Sequence, residues 1–141
     1  MITYKLSDWS KMKYKIVKYK NINGNCPFDN FIKYLLKQNK KEDLLRVQHS
    51  INLLQEFGSN LVLQYPKMVK YLKEGIYELR PGRNRILYFH YNEGDEEYVI
   101  LHGFIKSTQK TPSSELSKAL IEKKDYERNF NYETRKPFQH S

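Results

Sequence analysis

The chain of 141 residues has one cysteine, Cys26, and one tryptophan, with only six glycines and five prolines. A single cysteine excludes an internal disulfide framework and any cysteine-based zinc site, and makes a reduced, cytoplasmic setting the expectation. No apolar run approaches the roughly 20 residues of a membrane span, so no membrane partner is expected. The first fifteen residues lack the apolar block of a secretory signal. The four histidines (His49, His90, His102 and His140) show no metal-binding spacing, and no metal or cofactor is expected. Acidic residues are in short supply: 16 Asp and Glu stand against 25 Lys and Arg, a formal net charge of +9. A surplus of this size on a small domain favours polyanionic partners such as nucleic acid, the ribosome or an acidic protein. A merely soluble basic protein is the plainer alternative.

What is present is enough for one core. Hydrophobic residues make up 39%, too many for a disordered chain. There is no repeat or low-complexity linker, and residues 1–126 read as one domain followed by a polar tail, 127–141. Tyr14 to Lys20 is rich in β-branched and aromatic residues and predicts a strand. Phe28, Phe31, Ile32, Leu35 and Leu36 fall on one helical face behind Pro27, which suits a first helical turn. Leu44, Val47, Ile51 and Leu54 mark a second helix that Gly58 stops. The period then changes. Gly75–Arg80, Arg85–Tyr91 and Glu97–Lys106 read as a three-stranded antiparallel meander. Thr111 and Pro112 look like an N-cap and first residue of a third helix, Glu115 to about Tyr126. The fold class expected is α+β: a small antiparallel sheet, made of the N-terminal strand and the meander, with two N-terminal helices and one C-terminal helix. The helices are expected on one sheet face, leaving the other open to present polar groups.

Candidate chemistry gathers around the first meander turn. Glu78 and Arg80 are two apart and share a strand face. Arg85 joins them if the connection has an even number of residues and points away if it has three. The even case puts two guanidiniums around one carboxylate, and simple cross-strand salt bridging explains the same pattern. His102 and Lys106 share a face of the last strand, with Lys110 in the following loop; a structural histidine and solubilising lysines are the plainer alternatives. Lys67, Lys70 and Lys73 read as a solvated basic loop able to contact phosphate. Glu93, Asp95, Glu96 and Glu97 crowd the other hairpin tip, which a polyanion should avoid. Cleavage of RNA by its own 2′-hydroxyl needs a base, an acid and cations. Glu78 is the candidate base, His102 or a lysine the acid, and Arg80, Arg85 and Lys106 the cations that meet the developing charge.

Four blocks in order, Leu72-Lys-Glu-Gly-Ile-Tyr-Glu-Leu-Arg80, Asn84-Arg-Ile-Leu-Tyr-Phe89, His102-Gly-Phe-Ile-Lys106 and Gln109-Lys-Thr-Pro112, resemble the phage-derived, HigB-like branch of the RelE/ParE toxin superfamily. The resemblance covers about residues 14–126. It implies a RelE-like fold and a toxin of a type II toxin–antitoxin system: a metal-independent, ribosome-dependent endoribonuclease (an mRNA interferase) that inhibits translation. The partners implied are the ribosome, mRNA and a cognate antitoxin, of helix-turn-helix, HigA-like type, with DNA met only through that antitoxin. Carried over by position, Glu78, Arg80, Arg85, Lys106, Lys110 and, more loosely, Lys73 match site positions of that family; together with the residues read from the strands and turns, the catalytic candidates are Glu78, Arg80, Arg85, His102 and Lys106, and the RNA-binding ones Lys70, Lys73, Arg83 and Lys110. The lead Met1–Ser10 and the tail after Glu127 fall outside the pattern. ParE-like members of the same fold poison DNA gyrase without cutting RNA, so a noncatalytic inhibitor of a host factor is the alternative.

Overall fold

A computed structural model describes residues 14–91, 96–107 and 110–134. The lead Met1–Ser10, Glu93 and Asp95 of the acidic turn, Gln109 and the end of the tail lie outside them.

Strand β1 (Lys15–Lys18) is followed by helices α1 (Pro27–Lys37) and α2 (Lys41–Phe57). Pro27 stands in the first turn of α1, and Phe28, Phe31 and Leu35 form its buried face. That face packs against Val47, Leu53 and Leu54 of α2, with Leu44 and Ile51 at the edge of the same core. Helix α2 ends at Gly58, where the backbone turns to φ +55° and a Cβ would lie 2.7 Å from the Tyr14 ring. Only glycine satisfies both the conformation and the space. A helical turn continues into the short helix α3 (Leu61–Gln64), then strands β2 (Val69–Lys73), β3 (Ile76–Leu79), β4 (Asn84–Tyr91) and β5 (Glu97–Ile105), and helix α4 (Ser113–Thr134).

The α+β class is as expected, but the sheet is larger and mixed. Its order is β1-β5-β4-β3-β2. The meander pairs antiparallel, whereas β1 runs parallel to β5 in the register Lys15↔Glu97 to Lys18↔Ile100. The expected four-stranded antiparallel sheet is corrected on two counts. Strand polarity depends on where the chain re-enters the sheet after α1 and α2, which no local pattern encodes. The stretch holding Lys70 and Lys73 is not a loop but the edge strand β2, joined to β3 through Glu74 and Gly75. Both turn residues have positive φ, 48° and 85°, as a two-residue hairpin turn requires. An edge strand carrying exposed lysines mimics a polar loop in sequence.

A second correction concerns the faces. Helices α1 and α2 cover one face through a core of Phe31, Leu35, Leu54, Leu79, Ile86 and Ile100. The opposite face is not open. Helix α4 lies against it over Ile76, Leu87, Phe89, Val99 and Leu101, using Leu116, Ala119 and Leu120. Helix α4 also runs on to Thr134, so the tail predicted from Glu127 begins as helix.

Candidate nucleic-acid interface

Register builds the cluster. Glu78 pairs with Leu87 and Leu79 with Ile86, which sets Arg80 opposite Arg85 with Pro81 to Asn84 between them, the even-numbered case. Asn84 N–H closes this turn on the Pro81 carbonyl at 3.0 Å, and its side-chain amide reaches Asp43 of α2 at 2.9 Å. The turn is thereby fixed to a helix on the far face of the sheet.

Arg80 and Arg85 converge on one oxygen. Arg80 Nε lies 3.4 Å and Arg85 Nε 3.9 Å from Glu78 Oε1. The other carboxylate oxygen accepts the Thr111 hydroxyl at 2.6 Å. Thr111, the expected cap of α4, gives its hydroxyl to Glu78, and the N–H groups of Glu115 and Leu116 bond to the Pro112 carbonyl. Arg85 is pinned further by donating from Nη1 to the carbonyls of Gly82 and Asn84, each at 2.8 Å. Its side chain is 7% exposed and that of Glu78 1%. Burial, then the neighbouring Arg80, hold Arg85 below the usual guanidinium range, against the pull of Glu78. The Arg80 side chain is 29% exposed. Its Nε is buried against Glu78, and the exposed remainder of the side chain makes Arg80, of the two arginines, the one with surface left to meet a phosphate.

Around this pair the register adds cations. Lys70 stands across β2 from Glu78 and is exposed. Arg83 and Lys106 bond reciprocally through main chain and guanidinium, Lys106 N–H to the Arg83 carbonyl at 2.8 Å and Arg83 Nη2 to the Lys106 carbonyl at 3.0 Å. Arg85 pairs with Phe104, and strand alternation then puts Lys106 on the same face. Exposed Lys110 lies beside Thr111. Lys73 is not brought in: it sits across from Ile76 at the far end of the β2–β3 hairpin, 3.9 Å from Glu74. Two contributors escaped sequence reasoning. Thr111 was read as a cap, and Arg46 of α2 approaches the turn, its Cδ 3.2 Å from where a Gly82 Cβ would stand.

His102 stands apart from the arginines and is 2% exposed. Its Nδ1 faces Glu122 at 2.6 Å and its Nε2 faces Glu115 at 2.9 Å, so both ring nitrogens are engaged by α4. A bulge brings it there. Leu87 pairs with His102 but Tyr88 with Ile100, so Leu101 is the extra residue and both Leu101 and His102 turn toward α4. In this arrangement His102 ties the helix to the sheet.

A family model described as phage-derived, Gp49-like protein (DUF891) matches residues 33–124, more than half of the chain, including the whole β2–β5 meander and every residue of the cluster. No curated protein matches the chain. Among the described residues, no helix is long and apolar enough to cross a membrane.

Proposed function

Because the chain belongs to the phage-derived Gp49-like family, we propose that it is the toxin of a type II toxin–antitoxin pair, of the HigB-like kind within the RelE/ParE group, acting as an endoribonuclease on ribosome-bound mRNA. The observation that carries this reading is the convergence of Arg80 and Arg85 on Glu78 at the end of the sheet, where Lys70 of β2, Arg83 of the turn, and Lys106 and Lys110 after β5 add positive charge.

In this reading Arg80 takes the scissile phosphate through its open edge, and Arg85 adds fixed positive charge behind it. Preorganised charge of this kind is usually the largest contribution to such a reaction. Glu78 is the carboxylate nearest the phosphate and the candidate base for the 2′-hydroxyl. Its side chain is 1% exposed and already engaged by both arginines and Thr111, so the reaction leans on the ribosome to hold the RNA in line. Lys106 and Lys110 supply charge and the acid. His102, with both nitrogens on carboxylates, acts as a positioning residue for α4 rather than as the acid. Lys70 and Arg83 hold the flanking RNA backbone, and a cognate antitoxin of helix-turn-helix type blocks this surface.

The test is in vitro translation with primer extension. The wild-type chain is expected to give truncated message only when ribosomes are present, and Arg80→Ala to leave the message intact. Uncut message with wild-type protein, together with DNA breaks in expressing cells, would favour the second reading, a noncatalytic inhibitor of a host factor such as DNA gyrase. One observation speaks for that alternative: Glu78, Arg85 and His102 are all buried.

A further inference from the structure

The β3–β4 turn has a second basic side, which comes from helix α2. Arg46 lies over Gly82: its Cδ stands 3.2 Å and its Nε 3.8 Å from where a Gly82 Cβ would be. Gly82 has φ +63°, and its bare backbone leaves the room that the arginine stem occupies. The guanidinium itself is not held. The side chain is 54% exposed, and Nη1 lies 3.8 Å from Asp43 Oδ1, beyond hydrogen-bond length. That oxygen already accepts the Asn84 amide at 2.9 Å. So long an ion pair between solvated groups is worth little, and Arg46 keeps its charge and its donors available. Exposed Arg83 stands next to Gly82 and gives one guanidinium nitrogen to the Lys106 carbonyl. Two arginines thus border one glycine, two residues along from Arg80.

We infer that Arg46 and Arg83 hold a second phosphate of a single-stranded RNA, next to the one that meets Arg80, so that the strand passes around the end of the sheet over Gly82. Guanidinium is the side-chain group whose paired donors match a phosphate. A glycine at the crossing lets a ribose–phosphate backbone come close to the protein backbone. Arg80 and Gly82 are two residues apart, at most about 7 Å between Cα atoms, so one strand reaches both ends of the turn. The inference rests on the reading of the chain as an RNA-binding protein and not on cleavage. It adds helix α2, on the sheet face away from Glu78, to the surface that the RNA follows.

The experiment is fluorescence anisotropy of the full chain with a short labelled RNA, 2′-O-methylated so that it resists cutting, over a range of salt. Each phosphate neutralised on a single strand contributes about 0.7 to the slope of log K against log salt. Arg46→Gln is expected to lower the slope by about 0.7 and to weaken binding about fivefold at low salt, with an unchanged urea midpoint. Arg46→Lys keeps the charge and is expected to keep the slope. Lys15→Gln removes the same charge at the opposite end of the sheet and is expected to leave the slope as it is. Equal losses in Arg46→Gln and Lys15→Gln mean that only net charge counts, and no loss in Arg46→Gln means that its guanidinium meets no phosphate; either result overturns the inference, as does a wild-type chain that does not bind the RNA. A salt slope with poly-glutamate that depends on Arg46 as strongly as the slope with RNA reassigns the arginine to an acidic protein partner, and overturns it too. Primer extension keeps the two readings apart. Cut message with a slope indifferent to Arg46 sinks this inference alone, whereas an Arg46-dependent slope with uncut message sinks the nuclease reading alone.

Discussion

At the scale of single residues, the cluster at the β3–β4 turn divides labour between two arginines that the sequence treats alike. Arg85 is buried and tied to two turn carbonyls, while Arg80 keeps an open edge. Arg85→Ala leaves Glu78 with Arg80 at 3.4 Å and the Thr111 hydroxyl, but strips the two turn carbonyls of a charged donor, a bond worth about 1.5–3 kcal/mol. Arg85→Ala is therefore expected to lower stability by that order in urea unfolding, whereas Arg80→Ala should move the midpoint little and act on activity. The two variants separate a catalytic loss from a folding loss, a distinction that a growth assay of Arg85→Ala by itself does not make. Thr111→Val keeps the shape but removes the donor to Glu78 Oε2, and should cost about 1–2 kcal/mol in the same measurement. No change on Thr111→Val would show that the hydroxyl contributes nothing to holding the carboxylate.

At the scale of elements, α4 is unusual in how it is held. Its apolar contacts are Leu116, Ala119, Leu120 and the Tyr126 ring, which meets Phe89 and Tyr91 edge-on, and polar bonds from its inner face add to the docking: Glu115 and Glu122 to His102, Asp125 from the Tyr19 hydroxyl and Tyr126 to Glu97. His102→Ala strands two carboxylates against an apolar sheet face. The first three turns of α4 are then expected to exchange amide hydrogens at least tenfold faster, a factor equal to about 1.4 kcal/mol, with α1 unchanged. Uniform exchange across both helices would refute the pin. On the other face the approach is tight. A Cβ on Gly103 would lie 2.6 Å from the Phe31 ring and 2.9 Å from Ile86, so Gly103→Ala is expected to cost about 1–3 kcal/mol by overpacking, read as a lowered melting temperature.

At the scale of the whole molecule, stability should fall in alkali. Tyr19, Tyr88, Tyr98 and Tyr126 all have phenols pushed above their ordinary value, each chiefly by burial, with Asp125 and Glu97 adding to Tyr19 and Tyr126. A raised folded value means the folded state keeps protons that the unfolded chain gives up. This contribution is complete below the ordinary phenol value near 10 and is lost as pH rises past it. Each such group withdraws up to about 1.4 kcal/mol per pH unit there. The phenolate absorbance of these four should accordingly appear together with unfolding, in one cooperative step above pH ~10. Alkaline unfolding with no step of phenolate absorbance accompanying it would contradict this.

The amino-acid sequence by itself determined the helices α1 and α2, the meander, the stop at Gly58 and the shared face of Glu78 and Arg80, because each of these rests on periodicity or a turn residue within a short span; whether Arg85 joins them was left to the length of the turn, which the strand register decided. The same local signals misread β2 as a loop, since an edge strand keeps its lysines in water, and Thr111 as a cap, since its true partner lies on β3. What only the tertiary structure decided is non-local. The parallel pairing of β1, the closure of the second sheet face by α4, and the bulge at Leu101 that turns His102 onto that helix all depend on residues far apart in the chain. For that reason the arginine pair emerges half-covered at the end of a sheet, and not on an open surface.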